Sequence, residues 1–265
     1  MRSINKIKLF SNHTAKSKPI EEELERLLIE NNFELSEDFD LGIAIGGDGS
    51  FLKMVKQANF NSNPYYIGVN TGTLGFLQEI KPDKLKEFVE SLNENNFKID
   101  EIGVLETTIT QNNESKKYYS LNELVMRDLN LSVFKSEIFV DHIKLENFAG
   151  DGLLIATSVG SSAYNISLNG ALVYNTLHTI QINPISPLNT SAYRNLLNPV
   201  ILPEKSLVEI LPEKKQVTIM CDGEIEKLEN VSKIECSVKD KKLKFLRMKE
   251  YEFINIVNEK FLTEK

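Results

Sequence analysis

Leu41-Gly42-Ile43-Ala44-Ile45-Gly46-Gly47-Asp48-Gly49-Ser50 passes from an unbroken apolar run into a glycine-rich bend. An apolar run without alternation is the pattern of a strand covered on both faces, as in a parallel sheet. Phe51, Leu52 and Val55 then fall on one side of a helix predicted for residues 50–58. Strand, tight bend and helix make a βα unit, and the rhythm extends both ways. Upstream, Ile7-Lys8-Leu9-Phe10 reads as a short strand. Residues 19–31 read as a helix with Pro19 in its first turn and Leu24, Leu27, Leu28 and Ile29 for its core side. Downstream, Tyr65-Tyr66-Ile67-Gly68-Val69 is a second buried strand. Residues 82–95 form an amphipathic helix with Leu85, Phe88, Val89 and Leu92 at core spacing. Residues 1–100 are therefore expected to form a doubly wound α/β domain.

Beyond about Lys98 the pattern changes to short strands, at residues 105–110, 118–125, 137–140 and 152–157, and again within 207–247. Asn112-Asn113, Asp141-His142, Asp222-Gly223 and Lys239-Asp240 are hairpin or loop positions. One helix is expected at residues 161–172. The tail, residues 251–261, carries Phe253, Ile254, Ile256, Val257 and Phe261, enough for a helix that returns to the first domain. The expected fold is α/β + β: a doubly wound α/β domain, residues 1–100 with a C-terminal helix from 248–265, and a β-sandwich-like domain at 101–247. The absence of a Pro/Gly/Ser linker suggests an intimate boundary, with a cleft there as the expected ligand site.

The 265 residues carry 31 Lys+Arg against 38 Asp+Glu, a net charge of −7, which would repel a phosphate backbone, so no nucleic-acid partner is expected. Hydrophobic residues at 41% and charged residues at 26% argue against disorder and fibrous classes. Two cysteines, Cys221 and Cys236, lack zinc-site spacing and read as small buried hydrophobes in a reducing compartment, which makes the cytoplasm the expected location. No apolar stretch approaches the roughly 18 residues of a bilayer span, so no membrane partner is expected. His13, His142 and His178 share no spacing that would support a metal site or a Ser-His-Asp triad.

Chemistry concentrates in four places. At Gly46, Gly47, Asp48 and Gly49 the glycines let the backbone approach a ligand, while N–H groups at the helix start attract anions. This is a phosphate cradle, though neither a G-x-G-x-x-G nor a P-loop sequence. Asp48 beside it could accept a proton from an attacking hydroxyl or hold a magnesium ion, or it could simply cap the helix. The loop Asn70-Thr71-Gly72-Thr73-Leu74-Gly75-Phe76 leaves the carboxyl end of the next strand, where ligands of parallel sheets bind. Gly150-Asp151-Gly152 leads through an apolar strand into Thr157-Ser158-Val159-Gly160-Ser161-Ser162-Ala163-Tyr164, whose hydroxyls suit a sugar or phosphate and whose tyrosine suits a base. The bland reading is a helix capped by Ser161 with Tyr164 in the core. Asn122-Glu123 offers an amide for a base edge and a carboxylate for a ribose hydroxyl.

Together, in this order and spacing, these motifs resemble the NAD kinase family over nearly the whole chain. The glycine-aspartate motif alone is shared with phosphofructokinases and with diacylglycerol and sphingoid lipid kinases. The segment after Gly150-Asp151-Gly152 is the specific part. The resemblance implies phosphorylation of the adenosine ribose 2′-hydroxyl of NAD to NADP, with ATP as donor and magnesium or another divalent cation arriving with the nucleotide. It implies Asp48 as general base, and Gly46, Gly47, Gly49 and Phe76 among the substrate-binding residues. Asn122, Ser162, Ala163 and Tyr164 would surround the adenosine, Glu123 would contact ribose, Ser167 would complete the pocket, and Thr157 is a further substrate-binding residue. Asp151 and Ser186 match positions that reach the nicotinamide end across a subunit boundary, in homodimers or homotetramers.

Several residues depart from that pattern. Ser158 stands where the family usually has proline, which would loosen the loop, and Val159 where it has threonine. Ala149 replaces a frequent basic residue and Glu224 a frequent glutamine. Two rivals remain at this level: a lipid kinase of the diacylglycerol type, which would need a greasy acceptor pocket, and a non-catalytic dinucleotide sensor, against which the retained Asp48 speaks.

Overall fold

The computed structural model describes residues 4–72, 75–191, 193–240 and 242–263. It divides into two compact units, residues 1–102 with 242–265, and residues 103–241.

In the first unit a six-stranded sheet runs in the order Glu34–Leu35, Lys6–Ser11, Leu41–Gly46, Tyr65–Asn70, Leu243–Met248, Phe97–Ile102. The first five are parallel and the last is antiparallel. Helices α1 (Ser17–Glu30), α2 (Asp48–Gln57) and α3 (Leu85–Asn93) flank it. Leu24 and Leu28 of α1 and Phe88 and Leu92 of α3 share one core with Ile7, Leu41, Ile43 and Ile45 of the sheet. On the alternate face of the same strand, Gly42 meets Met54 of α2, and Phe51 packs edge-on against Phe245 at 4.8 Å. The sheet is thus covered on both sides, which is why its central strands show no alternation.

The strand Leu243–Met248 is a correction to the expected boundary: the sequence reading assigns it to the β-rich domain, but it pairs inside the first sheet. Leu243, Phe245 and Leu246 are all buried, so the strand is apolar on both faces and suits a central position. Lys239-Asp240 is accordingly no hairpin.

The second unit holds two six-stranded antiparallel sheets. One runs Ile143–Gly150, Phe134–Val140, Val208–Pro212, Val231–Val238, Leu105–Gln111, Glu114–Ser120. The other runs Val200–Pro203, Thr179–Ile185, Gly152–Thr157, Glu123–Asp128, Val217–Cys221, Glu224–Leu228. Alternate residues of both, among them Ile138, Ile210 and Ile234 from one and Met126, Ile155 and Ile219 from the other, form a single core. The hairpin pairs Asn112-Asn113, Asp141-His142 and Asp222-Gly223 all have positive φ at both residues, the geometry of the tight turns that suit strand twist.

Two helix expectations are shortened. In place of a helix at 161–172 there is a 3₁₀ turn, Val159–Ser162, and one turn of helix α4 (Tyr164–Ser167). Asn169 takes φ 58° and the Gly170 N–H bonds back to the Asn165 carbonyl, closing the turn. The tail forms a short helix α5 (Phe253–Val257) followed by a π-helical turn, Asn258–Leu262. Among the described residues no helix is long and apolar enough to cross a membrane.

Candidate active site

The buried strand Leu41–Gly46 ends at Gly46, where a β-carbon would stand 2.1 Å from Ser50 Oγ, so only glycine permits the bend. Gly47 precedes α2 in an extended conformation and its carbonyl accepts the N–H of Ser50 at 2.8 Å. A β-carbon on Gly47 or Gly49 would meet nothing within 4 Å, so open space lies before both. The opening-turn N–H groups of α2 and the positive end of its dipole face this bend, an arrangement that suits an anion.

Asp48, the first residue of α2, does not cap its own helix by a side-chain bond. Its carboxylate instead reaches the second loop: Oδ2 accepts the Phe76 N–H and Oδ1 the Leu77 N–H, both at 3.0 Å. The capping reading is thereby replaced by a bridge between two loops. Two further bonds join them. The Gln78 amide donates to the Gly47 carbonyl at 2.7 Å, and the Thr71 N–H donates to the Gly46 carbonyl at 3.2 Å. Phe76 is buried and stacks at a tilt on Phe253 and Phe261. Thr73 and Leu74, also in the quoted loop, lie outside the described residues. A carboxylate has about four lone-pair sites. Two are used by N–H groups and Lys260 Nζ stands 3.5 Å from Oδ2, which leaves capacity for a hydroxyl proton.

The second unit brings Asn122, Glu123, Thr157, Gly160 and Tyr164 together. Thr157 donates its hydroxyl to the Leu121 carbonyl at 2.6 Å and its N–H to the Asn122 carbonyl at 2.9 Å, while accepting the Gly160 N–H at 3.1 Å. Gly160 presses on this turn so closely that a β-carbon would be 2.0 Å from the Asn122 carbonyl oxygen. Asp222, at the hairpin turn, accepts the N–H groups of Leu121, Asn122 and Glu123 at 2.6, 2.8 and 3.2 Å. Glu123 is buried, receives the Tyr164 backbone N–H, and keeps Oε2 without a partner. Burial and the neighbouring Asp222 charge push its carboxyl up to about 8, so at neutral pH it is mostly a neutral acid able to donate. Arg127 donates to the Tyr164 hydroxyl at 3.1 Å.

The other expected residues have these surroundings. Ser162 is spent on the Val159 carbonyl at 3.2 Å, Ala163 is half-buried, and Ser167 is exposed at the end of α4. Asp151 and Ser186 are exposed neighbours at one end of the sheet, where the Asp151 N–H donates to the Ile185 carbonyl at 2.9 Å. Ser161 bonds the Val173 carbonyl and N–H, a structural role. Ser158 bonds the Leu177 carbonyl and the Thr179 hydroxyl, so side-chain ties stand where the family's proline is missing. Ala149 is bracketed by the Asn195 amide, and Glu224 is exposed on an edge strand. Among the described residues no three His, Cys, Asp or Glu groups gather to hold a metal ion. Sequence reading missed Gln78, Asp222 and Lys260. Only the Asp222-Gly223 turn left a signal, and it pointed to a hairpin rather than to a clamp.

Residues 2–97 match the family model of the ATP-NAD kinase N-terminal domain, and residues 121–248 that of the ATP-NAD kinase C-terminal domain. The chain is 34% identical over 251 residues to an NAD kinase of Finegoldia magna, covering 92% of this chain and 91% of that protein. It is 29% identical over 268 residues to NAD kinase 2 of Halalkalibacterium halodurans, covering 99% and 100%. Two solved structures share the fold. Yeast NADH kinase complexed with NADH gives a TM-score of 0.85 at 21% identity, over 100% of this chain and 90% of that one. An NAD kinase from Archaeoglobus fulgidus in complex with ATP gives 0.78 at 20% identity, over 96% and 98%.

Proposed function

The chain belongs to the NAD kinase family, and from that premise we propose that Asp48 accepts the 2′-hydroxyl proton of the adenosine ribose of NAD. The chain is an enzyme that phosphorylates NAD. In the proposed reaction the ribose oxygen bonds to the terminal phosphorus of ATP, the bond from that phosphorus to the ADP oxygen breaks, and NADP and ADP leave. The observation that carries this reading is the Asp48 carboxylate held on the N–H groups of Phe76 and Leu77 beside an open glycine bend.

Phosphoryl transfer depends on alignment and charge neutralisation more than on covalent help. The bend at Gly46, Gly47 and Gly49 supplies N–H groups for the donor phosphates, and Asp48 supplies the proton acceptor. Asn122, Glu123, Thr157, Ser162, Ala163, Tyr164 and Ser167 are the proposed adenosine site, Phe76 a further substrate contact, and Asp151 and Ser186 the proposed nicotinamide-end contacts. The buried neutral acid of Glu123 would offer a hydrogen to a ribose oxygen. A divalent cation fits this donor set only as a companion of the nucleotide, since among the described residues no group of three His, Cys, Asp or Glu side chains gathers to hold one. When bound it would neutralise phosphate charge.

A homodimer or homotetramer is the proposed assembly. Its support is the outer face of the second unit's Glu123-bearing sheet, where Ile225 is exposed beside Met220, Val125 and Tyr164. The unpaired cysteines Cys221 and Cys236 support a reducing location, the cytoplasm. The lipid-kinase alternative is not favoured, since the relatives above are NAD kinases. The sensor alternative is decided by the same assay as the enzyme: purified protein with NAD, ATP and magnesium, and NADP detected by an NADP-specific dehydrogenase. Absence of NADP overturns the reading.

A further inference from the structure

The chain's terminal segment carries a positive charge to the glycine bend. Phe253 and Ile256 of α5 are buried, and the rings of Phe253 and Phe261 lie 6.0 and 5.4 Å from that of Phe76. Lys81 pairs with Glu259 at 3.5 Å. Lys260 falls between these anchors. Its Nζ stands 4.5 Å from the Phe76 ring centroid and 3.5 Å from Asp48 Oδ2, and its side chain is still 31% exposed.

A free surface ion pair would give little reason to hold a flexible lysine in one place. Here the ring contacts of Phe253 and Phe261 with Phe76 hold the segment on either side of Lys260, so the ammonium is delivered rather than captured. It faces a bend whose Gly47 and Gly49 border open space. A polyphosphate settling there would stand beside the Asp48 carboxylate, and like charges at that range repel strongly wherever water is thinned. An ammonium is a compact charge with three donors and can serve a carboxylate and a phosphate oxygen together.

We propose that Lys260 is a donor-binding residue whose ammonium contacts the terminal phosphates of the triphosphate at the glycine bend and screens them from Asp48. Residues 253–262 are then part of the active site rather than a packing appendage. The inference rests on the NAD kinase reading. That reading fails if the wild-type chain forms no NADP, whereas the inference is tested on a wild-type chain that does.

In the full-length protein, Lys260→Met keeps the aliphatic contact with Phe76 and removes the charge. KM for ATP is expected to rise about tenfold, the scale of one charge-assisted hydrogen bond, with KM for NAD little changed. Lys260→Arg should restore most of the loss. A KM for ATP unchanged in Lys260→Met, or equal rises for both substrates, overturns the proposal. A second measurement needs no variant: amine acylation of the wild-type chain, read by mass spectrometry with and without inorganic tripolyphosphate. Lys260 should be protected while the exposed Lys227 is not. Equal labelling of Lys260 in both conditions overturns the proposal even if the methionine variant fails to fold.

Discussion

Gly75 lies against Asp48 so closely that a β-carbon on it would stand 2.0 Å from Oδ1 and 2.6 Å from Cγ. The carboxylate cannot swing clear without surrendering the Phe76 and Leu77 N–H groups it holds. Gly75→Ala is therefore expected to move the proposed base out of position. Turnover should fall by about 10²-fold or more, and overpacking should cost about 1–3 kcal/mol of stability. Steady-state kinetics and urea unfolding measure the two effects. Wild-type turnover in this variant would mean that the carboxylate position is not critical.

Asp48→Asn keeps the shape and changes the chemistry. General-base catalysis is typically worth about 10²–10⁴-fold, so kcat should drop by at least the lower bound while the KM values stay near wild type. The new amide nitrogen also faces an N–H group where an acceptor stood, which should cost about 1–3 kcal/mol. Near-normal turnover with normal KM would remove Asp48 from the proton-accepting role.

The fold of the first unit was legible where burial erases alternation: the runs at Leu41 and Tyr65 could only be central strands, and the glycines after Ile45 could only be a bend. The same signal misled at Leu243. A strand apolar on both faces fits a parallel sheet or a sandwich core, and its partners, Tyr65–Asn70 and Phe97–Ile102, are far away in sequence. Of the proposed site, the sequence marks the groups whose side-chain chemistry is local, Asp48 and Asn122-Glu123. The proposed site was illegible where a distant group acts on backbone. Gln78 reaches the Gly47 carbonyl across 31 positions and Asp222 reaches the Leu121 N–H across 101, and neither spacing leaves a periodic trace.

Asp222 holds three consecutive N–H groups, those of Leu121, Asn122 and Glu123, with one carboxylate. Asp222→Ala leaves all three without their acceptor in a half-buried turn, costing on the order of 1–3 kcal/mol each where water cannot replace it. Because Asn122 and Glu123 ride on that turn, KM for NAD should rise about tenfold or more while KM for ATP changes little. Calorimetry and two-substrate kinetics test this, and equal effects on both substrates would show that the turn does not position NAD.

Glu123 predicts a pH dependence of known sign. Burial first, and the Asp222 charge second, raise its carboxyl from 4.5 to about 8 in the folded chain. Between those values the unfolded chain gives up a proton that the folded chain keeps, so stability is lost as pH rises through the window. The loss is on the order of a few kcal/mol and is complete above about pH 8. Glu123→Gln removes it, so Tm of the variant should exceed wild type at about pH 9 and show no such gain at about pH 4. Glu79, raised by burial to about 7, slopes the same way in both proteins and cancels from the difference. Parallel Tm profiles would mean that Glu123 ionises normally.

Arg247 closes the returning strand onto the second loop. Its Nε donates to Asp100 at 3.0 Å and its Nη1 to Glu79 at 3.2 Å, with the guanidinium 4.1 Å from the Tyr251 ring centroid. Glu79 in turn accepts the Met248 N–H at 2.6 Å. Arg247→Met would leave the carboxylate of Glu79 and the partly buried one of Asp100 without their buried cation, and breaking a buried pair costs about 3–5 kcal/mol. Lysine should rescue little, because a point charge cannot reach both carboxylates as a planar fork does. The penalty should shrink as pH falls, since protonating Glu79, already raised by burial, relieves the repulsion. Glu79→Gln combined with Arg247→Met should therefore be less unstable at neutral pH than Arg247→Met alone, a non-additivity that denaturant titration can read. Glu79 lies two residues beyond Leu77, so if the cluster anchors the loop, Arg247→Met also lowers kcat at temperatures where it remains folded; stability loss with kcat intact would confine the cluster to folding.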